Sequence, residues 1–109
     1  MATYTIDLQN FRVTGSKVFT GRDRGEQVRI ASKIDSRADE FEKIIVSIPN
    51  DVYSINPSFL EEFLVNVVLK LGKNGFNKKF EFISMGDYSI TLDLAEAIDR
   101  IVRTENALV

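Results

Sequence analysis

The sequence reads as one α/β domain spanning residues 1–109, with a mostly parallel central sheet of about four strands and helices packed on it. Three observations carry that reading. Thr3 to Leu8 alternates apolar and polar residues, the pattern of a half-buried strand. Lys43-Ile44-Ile45-Val46-Ser47-Ile48 is a nearly continuous branched run, which suits a central strand covered on both faces of a parallel sheet. Between and after these segments apolar residues recur at helical steps, so strands and helices alternate along the chain.

Each element has its own signal. In the first strand Tyr4, Ile6 and Leu8 share one face and Thr3, Thr5 and Asp7 the other. Lys17-Val18-Phe19 fits a brief second strand after Gly15. A helix follows from about Arg22, with Val28, Ala31 and Ile34 at three-residue spacing; Gly25 weakens it, since glycine costs about 1 kcal/mol against alanine in a helix interior. Asp35 to Glu42 is a polar cluster and reads as a loop with one extra turn at most. After Pro49-Asn50-Asp51 the chain resumes an extended path through Val52-Tyr53-Ser54-Ile55.

The helix from Pro57 is the best marked. Asn56 suits the N-cap and Pro57 the first helical position. Glu61 and Glu62 lie toward the positive end of the dipole, Lys70 and Lys73 toward the negative end, and Gly72 or Gly75 can close the helix. Phe59, Leu60, Phe63, Leu64, Val67, Val68 and Leu71 form a broad apolar face. Lys78 to Ile83 is a further strand, marked by Phe80 and Phe82. A last helix runs from about Thr91 to Arg103 on Leu94, Ala97, Ile98, Ile101 and Val102.

Composition excludes several kinds of function. The chain has no histidine and no cysteine, which removes the usual zinc sites, thiol nucleophiles, disulfides and the side chain most used for proton transfer near neutral pH. The balance therefore points away from an enzyme and implies no cofactor and no metal. With 14 basic and 16 acidic residues the chain has no overall field for nucleic acid. M-A-T-Y-T-I-D-L is not a leader, and no stretch is long enough to cross a membrane, so a cytoplasmic protein is expected.

Two stretches hold candidate binding residues. Ser58 stands at the second position of the Pro57 helix, where first-turn N–H groups and the dipole favour an anion, so the local chemistry permits phosphorylation. The other reading is a polar residue tolerated in a first turn, which composition alone favours, and Glu61 and Glu62 would oppose a phosphate. Glu62, Val65 and Leu69 share the helix stripe of Ser58, so the two aliphatic residues form either a partner-docking patch or the edge of a wide buried face.

The second stretch is Thr20-Gly21-Arg22-Asp23-Arg24-Gly25-Glu26-Gln27-Val28-Arg29. Arg22, Arg24, Gly25 and Arg29 can make an anion pocket, because guanidinium forks match phosphate and glycine lets the backbone approach. The alternative is a solvated helix start with Arg22–Glu26 and Glu26–Arg29 pairs. A P-loop pattern is missing. Asp51, Glu61, Glu62, Asp87 and Asp93 have no spacing that fixes a carboxylate or Mg²⁺ site.

With these residues in view, the chain resembles the bacterial STAS-like domain of unknown function. F-T-G-R-D-R-G-E-Q-V-R, Phe19 to Arg29, and S-I-N-P-S-F-L-E-E-F, Ser54 to Phe63, followed by Leu71-Gly72, carry the resemblance, which covers roughly residues 15 to 103. The broader STAS fold includes anti-sigma factor antagonists, in which a serine at the start of the corresponding helix is phosphorylated by a GHKL-type ATPase partner. The resemblance puts Ser58 in that place, with Asn56 and Pro57 where the antagonists carry aspartate and serine, and Phe59 where they carry glycine.

It implies a regulatory protein-binding module with Asn56, Pro57, Ser58, Phe59, Glu62, Val65 and Leu69 at the partner surface. The partner would be a GHKL-type ATPase/kinase or a sigma-factor regulator. Two alternatives stay open: a nucleotide- or phosphate-ligand-binding domain using Arg22, Arg24 and Arg29, and a homo-oligomeric interaction protein, for instance a homodimer joined through Val65 and Leu69.

Overall fold

In the computed structural model, which describes residues 2–107, the branched run becomes the middle strand of a three-stranded parallel sheet. The strands are β1 (Thr3–Asp7), β3 (Lys43–Ile48) and β5 (Phe80–Ser84), in the order β1-β3-β5. Tyr4 stands beside Ile44, Ile44 beside Phe80, and Val46 beside Phe82. Two further short strands, β2 (Val18–Phe19) and β4 (Ser54–Ile55), pair with each other in parallel. The expected sheet of about four strands is therefore corrected to a three-stranded sheet and a separate two-stranded one. Each strand of the small pair contributes only two residues, too few for periodicity to assign to a sheet.

Four helices accompany the strands: α1 (Arg22–Ser32), α2 (Ile34–Glu40), α3 (Pro57–Lys79) and α4 (Thr91–Ala107). The expected loop at Asp35 to Glu42 is largely α2. Lys33 adopts the left-handed conformation (φ 58°), ends α1 by donating its N–H to the Ile30 carbonyl, and turns the chain into α2. Ile34 and Ala38, four residues apart, bury the inner side of α2.

The helices cover one face of the sheet. Ile6, Ile44, Val46, Ile48 and Phe80 join Phe59, Phe63, Leu64, Val67, Ala97 and Ile98 in a single buried cluster. On the opposite face Thr3, Thr5, Asp7, Glu81 and Ile83 are exposed and Lys43, Ile45 and Ser47 half-buried, with Lys43 paired to Glu81 at 3.5 Å. The expectation that β3 is covered on both faces is thus corrected. The strand order steps in one direction only, and right-handed crossovers then put every connecting helix on the same side.

α3 is interrupted at Gly72, whose φ of 74° lies in the left-handed region, and a further helical segment continues to Lys79. Phe76 of that segment stacks on Phe80 with ring centroids 4.6 Å apart, which anchors the extension to β5.

Candidate functional site

The two stretches singled out from the sequence meet in space. Phe19 pairs beside Ile55 in the β2–β4 ribbon, and the Asn56 N–H donates to the Phe19 carbonyl at 2.8 Å. Each strand then feeds a helix, and the starts of α1 and α3 pack together at Gly25. A β-carbon on Gly25 would stand 2.4 Å from the Phe59 carbonyl oxygen and 2.9 Å from the Glu62 β-carbon. Gly25 is therefore a helix-packing residue, and its lack of a side chain is taken up by α3.

Asn56 caps α3 as its type predicts, its Oδ1 accepting from the Ser58 N–H at 2.8 Å. Pro57 follows at the first turn, half-buried. Ser58 is half-buried as well, and its hydroxyl makes no hydrogen bond among the described residues. Phe59 lies elsewhere than expected. It is fully buried between Phe19 and Phe63, with ring centroids 5.3 and 5.8 Å away, so it belongs to the core and not to a partner surface. One step along a helix turns a side chain by about 100°, enough to take it from the rim of Ser58 to the sheet side.

Beyond Ser58 a groove of about 510 Å³ runs between α3 and α4, lined by Arg22, Glu61, Glu62, Val65, Leu69, Ile101 and Thr104. It joins Arg22 of one stretch to the Glu62-Val65-Leu69 stripe of the other. Val65 is half-buried against the core and Leu69 is 41% exposed, so this stripe is part core edge and part open surface.

At one end of the groove charges interlock. Glu61 accepts from Arg22 at 3.2 Å and from Arg100 at 3.3 Å. Glu62 lies 3.7 Å from both Arg22 and Arg29, and Arg29 donates to the Glu62 carbonyl at 2.5 Å. Arg29 also approaches Glu26 at 3.8 Å, as its spacing predicts, and Arg100 pairs with Glu96 one turn back.

The four anion-pocket candidates do not converge on one space. Arg22 and Arg29 straddle Glu62, Gly25 is filled by α3, and Arg24 turns to the opposite side. There it donates to the Phe11 carbonyl at 2.5 Å and to Gln27 at 3.0 Å, leaving its buried Nε without a partner among the described residues.

Three features escaped the sequence. Ile101 and Thr104 complete the groove from α4, with Arg100 beside it on Glu61, and only the Glu96–Arg100 spacing of four residues hinted at a charged patch there. Arg12 grips Asp51 at 2.7 and 3.2 Å and the Ser16 carbonyl at 2.6 and 3.1 Å, and this guanidinium holds the Asp51 carboxyl below its ordinary value. The Tyr88 hydroxyl lies 2.5 Å from Asp93 Oδ2 and 3.3 Å from the Ile55 carbonyl, tying the start of α4 to β4. Burial, then the Asp93 carboxylate, pushes the Tyr88 phenol far up.

Among the described residues there is no cluster of three acidic groups able to hold a metal, and no helix is long and apolar enough to cross a membrane. Compared with protein-family models, with curated proteins and with solved structures, the chain matches none of them.

Proposed function

We propose that the chain is a STAS-like regulatory domain that binds a cytoplasmic protein partner through the face made by the starts of α1 and α3 and the adjoining groove. The observation that supports this most is the meeting of Phe19 to Arg29 with Ser54 to Phe63. The motifs of the resemblance pack on each other at the Asn56–Phe19 hydrogen bond and at Gly25, and Arg22, Glu62, Val65 and Leu69 line the groove beside them. Phe59 supports this surface from beneath.

In this reading Ser58 is the switch, phosphorylated by a GHKL-type ATPase partner. Its half-buried hydroxyl has no hydrogen-bond partner among the described residues to give up. Glu61 and Glu62, which would repel a phosphate if free, are each shared between two arginines, and that pairing screens the repulsion. α1 begins at Arg22 behind Gly21, which offers no side-chain cap, so the first-turn N–H groups of this second helix have no capping side chain. The internal engagement of Arg22, Arg24 and Arg29 favours protein binding over a nucleotide pocket.

The test is to incubate the chain with ATP and a GHKL-type ATPase, then read intact masses. Wild type should gain one phosphate and Ser58→Ala none. If wild type gains none, and Ser58→Glu leaves the affinity for that ATPase unchanged, the switch is refuted.

A further inference from the structure

We propose that the free edge of β5 pairs with β5 of a second copy of the chain, antiparallel across a twofold axis at Phe82, so that two three-stranded sheets become one of six strands. This surface shares no residue with the α1–α3 face and does not depend on the protein-binding reading above.

β5 ends the β1-β3-β5 order, so its outer side has no strand beside it among the described residues. Along a parallel strand, alternate residues turn their backbone groups toward the same neighbour. The Met85 N–H donates to the Ile48 carbonyl at 2.9 Å, which puts Glu81, Ile83 and Met85 in phase toward β3. Phe82 and Ser84 therefore present both N–H and C=O outward. Phe80 presents only its C=O, because its N–H donates to the Phe76 carbonyl. Natural edges are usually blunted by proline, lysine or a bulge within the strand. β5 has none of these, and its one charge, Glu81, is tied to Lys43 on the open face.

An added strand satisfies those outward groups, and the side chains say which strand. Centred at Phe82, the antiparallel register sets Phe82 beside Phe82 of the second copy and Ser84 beside its Phe80, with the outward groups exchanging hydrogen bonds. Phe82 is half-buried and lines, with Phe76, Phe80, Leu94 and Ile98, a cavity of about 300 Å³ on the helix side of β5. Apolar area therefore adjoins the edge and gains cover in the pair.

The charges are self-complementary. Lys78 and Lys79 stand just before β5 and Asp87 just after it. Lys43, Lys70 and Lys73 each have a carboxylate partner within the chain, whereas Lys78, Lys79 and Asp87 have none among the described residues. Antiparallel order brings the start of one β5 against the end of the other, so the twofold joins these opposite charges twice. A parallel copy would set lysine beside lysine.

The experiment is sedimentation of the full chain up to about 1 mM, a concentration that populates even a weak homodimer. Wild type should pass from monomer to dimer as concentration rises. Ser84→Pro, which removes an outward N–H that the fold leaves unused, should abolish the dimer. Asp87→Lys should weaken it roughly tenfold, since two exposed pairs become repulsions, and adding Lys78→Glu and Lys79→Glu should restore it. Glu81 stands opposite Ile83 of the second copy in this register, and the chain has no cysteine of its own. Glu81→Cys with Ile83→Cys should give a disulfide-linked dimer on mild oxidation, and Thr3→Cys with Thr5→Cys on β1 should not. Thermal melts confirm that each variant is folded; if Ser84→Pro is not, Asp87→Lys and the paired cysteines decide.

A chain that stays monomeric throughout this range overturns the proposal. So does a dimer that survives both Ser84→Pro and Asp87→Lys, or one that Leu69→Lys removes, which would place the contact in the α3–α4 groove instead.

Discussion

Gly25 of α1 sits against the backbone of Phe59 so closely that a β-carbon at position 25 would stand 2.4 Å from the Phe59 carbonyl oxygen. Neither neighbour is the flexible end of a side chain, because the second contact is the Glu62 β-carbon at 2.9 Å. Gly25→Ala should therefore destabilise the fold by roughly 1–3 kcal/mol as α1 and α3 move apart, despite the better helix propensity of alanine. Urea denaturation gives the value. A stabilised variant would mean that the helices are not packed in this way.

Asn56 supplies the side-chain N-cap of α3, through its hydrogen bond from the Ser58 N–H at 2.8 Å. Asn56→Ala should cost about 1 kcal/mol, and Asn56→Asp or Asn56→Ser should recover most of it. Equilibrium unfolding of the three variants checks the series. Because the cap fixes the backbone of Ser58, binding through this face should weaken in Asn56→Ala and recover with the cap.

How far the sequence could be read follows from where each signal resides. The start of α3 was legible because cap, proline and apolar spacing are local and agree. The aliphatic stripe of Val65 and Leu69 was legible too, though its division between core edge and open groove depends on Ile101 and Thr104 of α4, 32 to 39 residues further on, and Ile101 read only as part of the apolar face of the last helix. Gly25 read as a flaw in α1 because its reason is the Phe59 carbonyl, a contact made only in the folded chain. α2 was hidden since just Ile34 and Ala38 mark it within a polar cluster, and Lys33 takes a conformation more usual for glycine. The β2–β4 pairing, which brings the two motifs together, rests on two residues per strand.

Phe59 and Leu69 lie on the same helix with opposite burdens. Phe59→Ala removes a fully buried ring packed on Phe19 and Phe63 and should cost roughly 3–5 kcal/mol. Leu69→Ala, at a 41% exposed position, should change stability by no more than about 0.5 kcal/mol. Chemical denaturation of both separates core from surface. An equal cost would remove Leu69 from the list of groove residues available to a partner.

Acid should loosen the loop that carries Asp51. Its folded-state pKa is depressed, chiefly by hydrogen bonding to Arg12, so the pairing contributes stability above the ordinary aspartate value of about 3.9 and loses it as pH falls through the lower folded value. Carboxyl NMR titration should show Asp51 protonating late on the way down, and Asp51→Asn should remove that part of the acid dependence. Protonation at the ordinary value would show that the Arg12 grip does not persist in solution.

Tyr88 behaves in the opposite sense at high pH. Burial and Asp93 raise its folded-state pKa, so the stability it contributes is complete below the ordinary tyrosine value of about 10 and is lost as pH rises beyond that toward the folded value. Ultraviolet titration should find a tyrosine phase well above the ordinary value, and Tyr88→Phe should remove that late phase.

The proposed partner face can be tested by hydrogen exchange of the whole chain with and without a GHKL-type ATPase. Slowed exchange is expected across Gly21 to Gly25 and Asn56 to Leu69, with α4 around Ile101, while the open face of the β1-β3-β5 sheet stays unchanged. Protection confined to that open sheet face, or none around Ser58 and Leu69 at concentrations where the two proteins associate, would contradict the assignment.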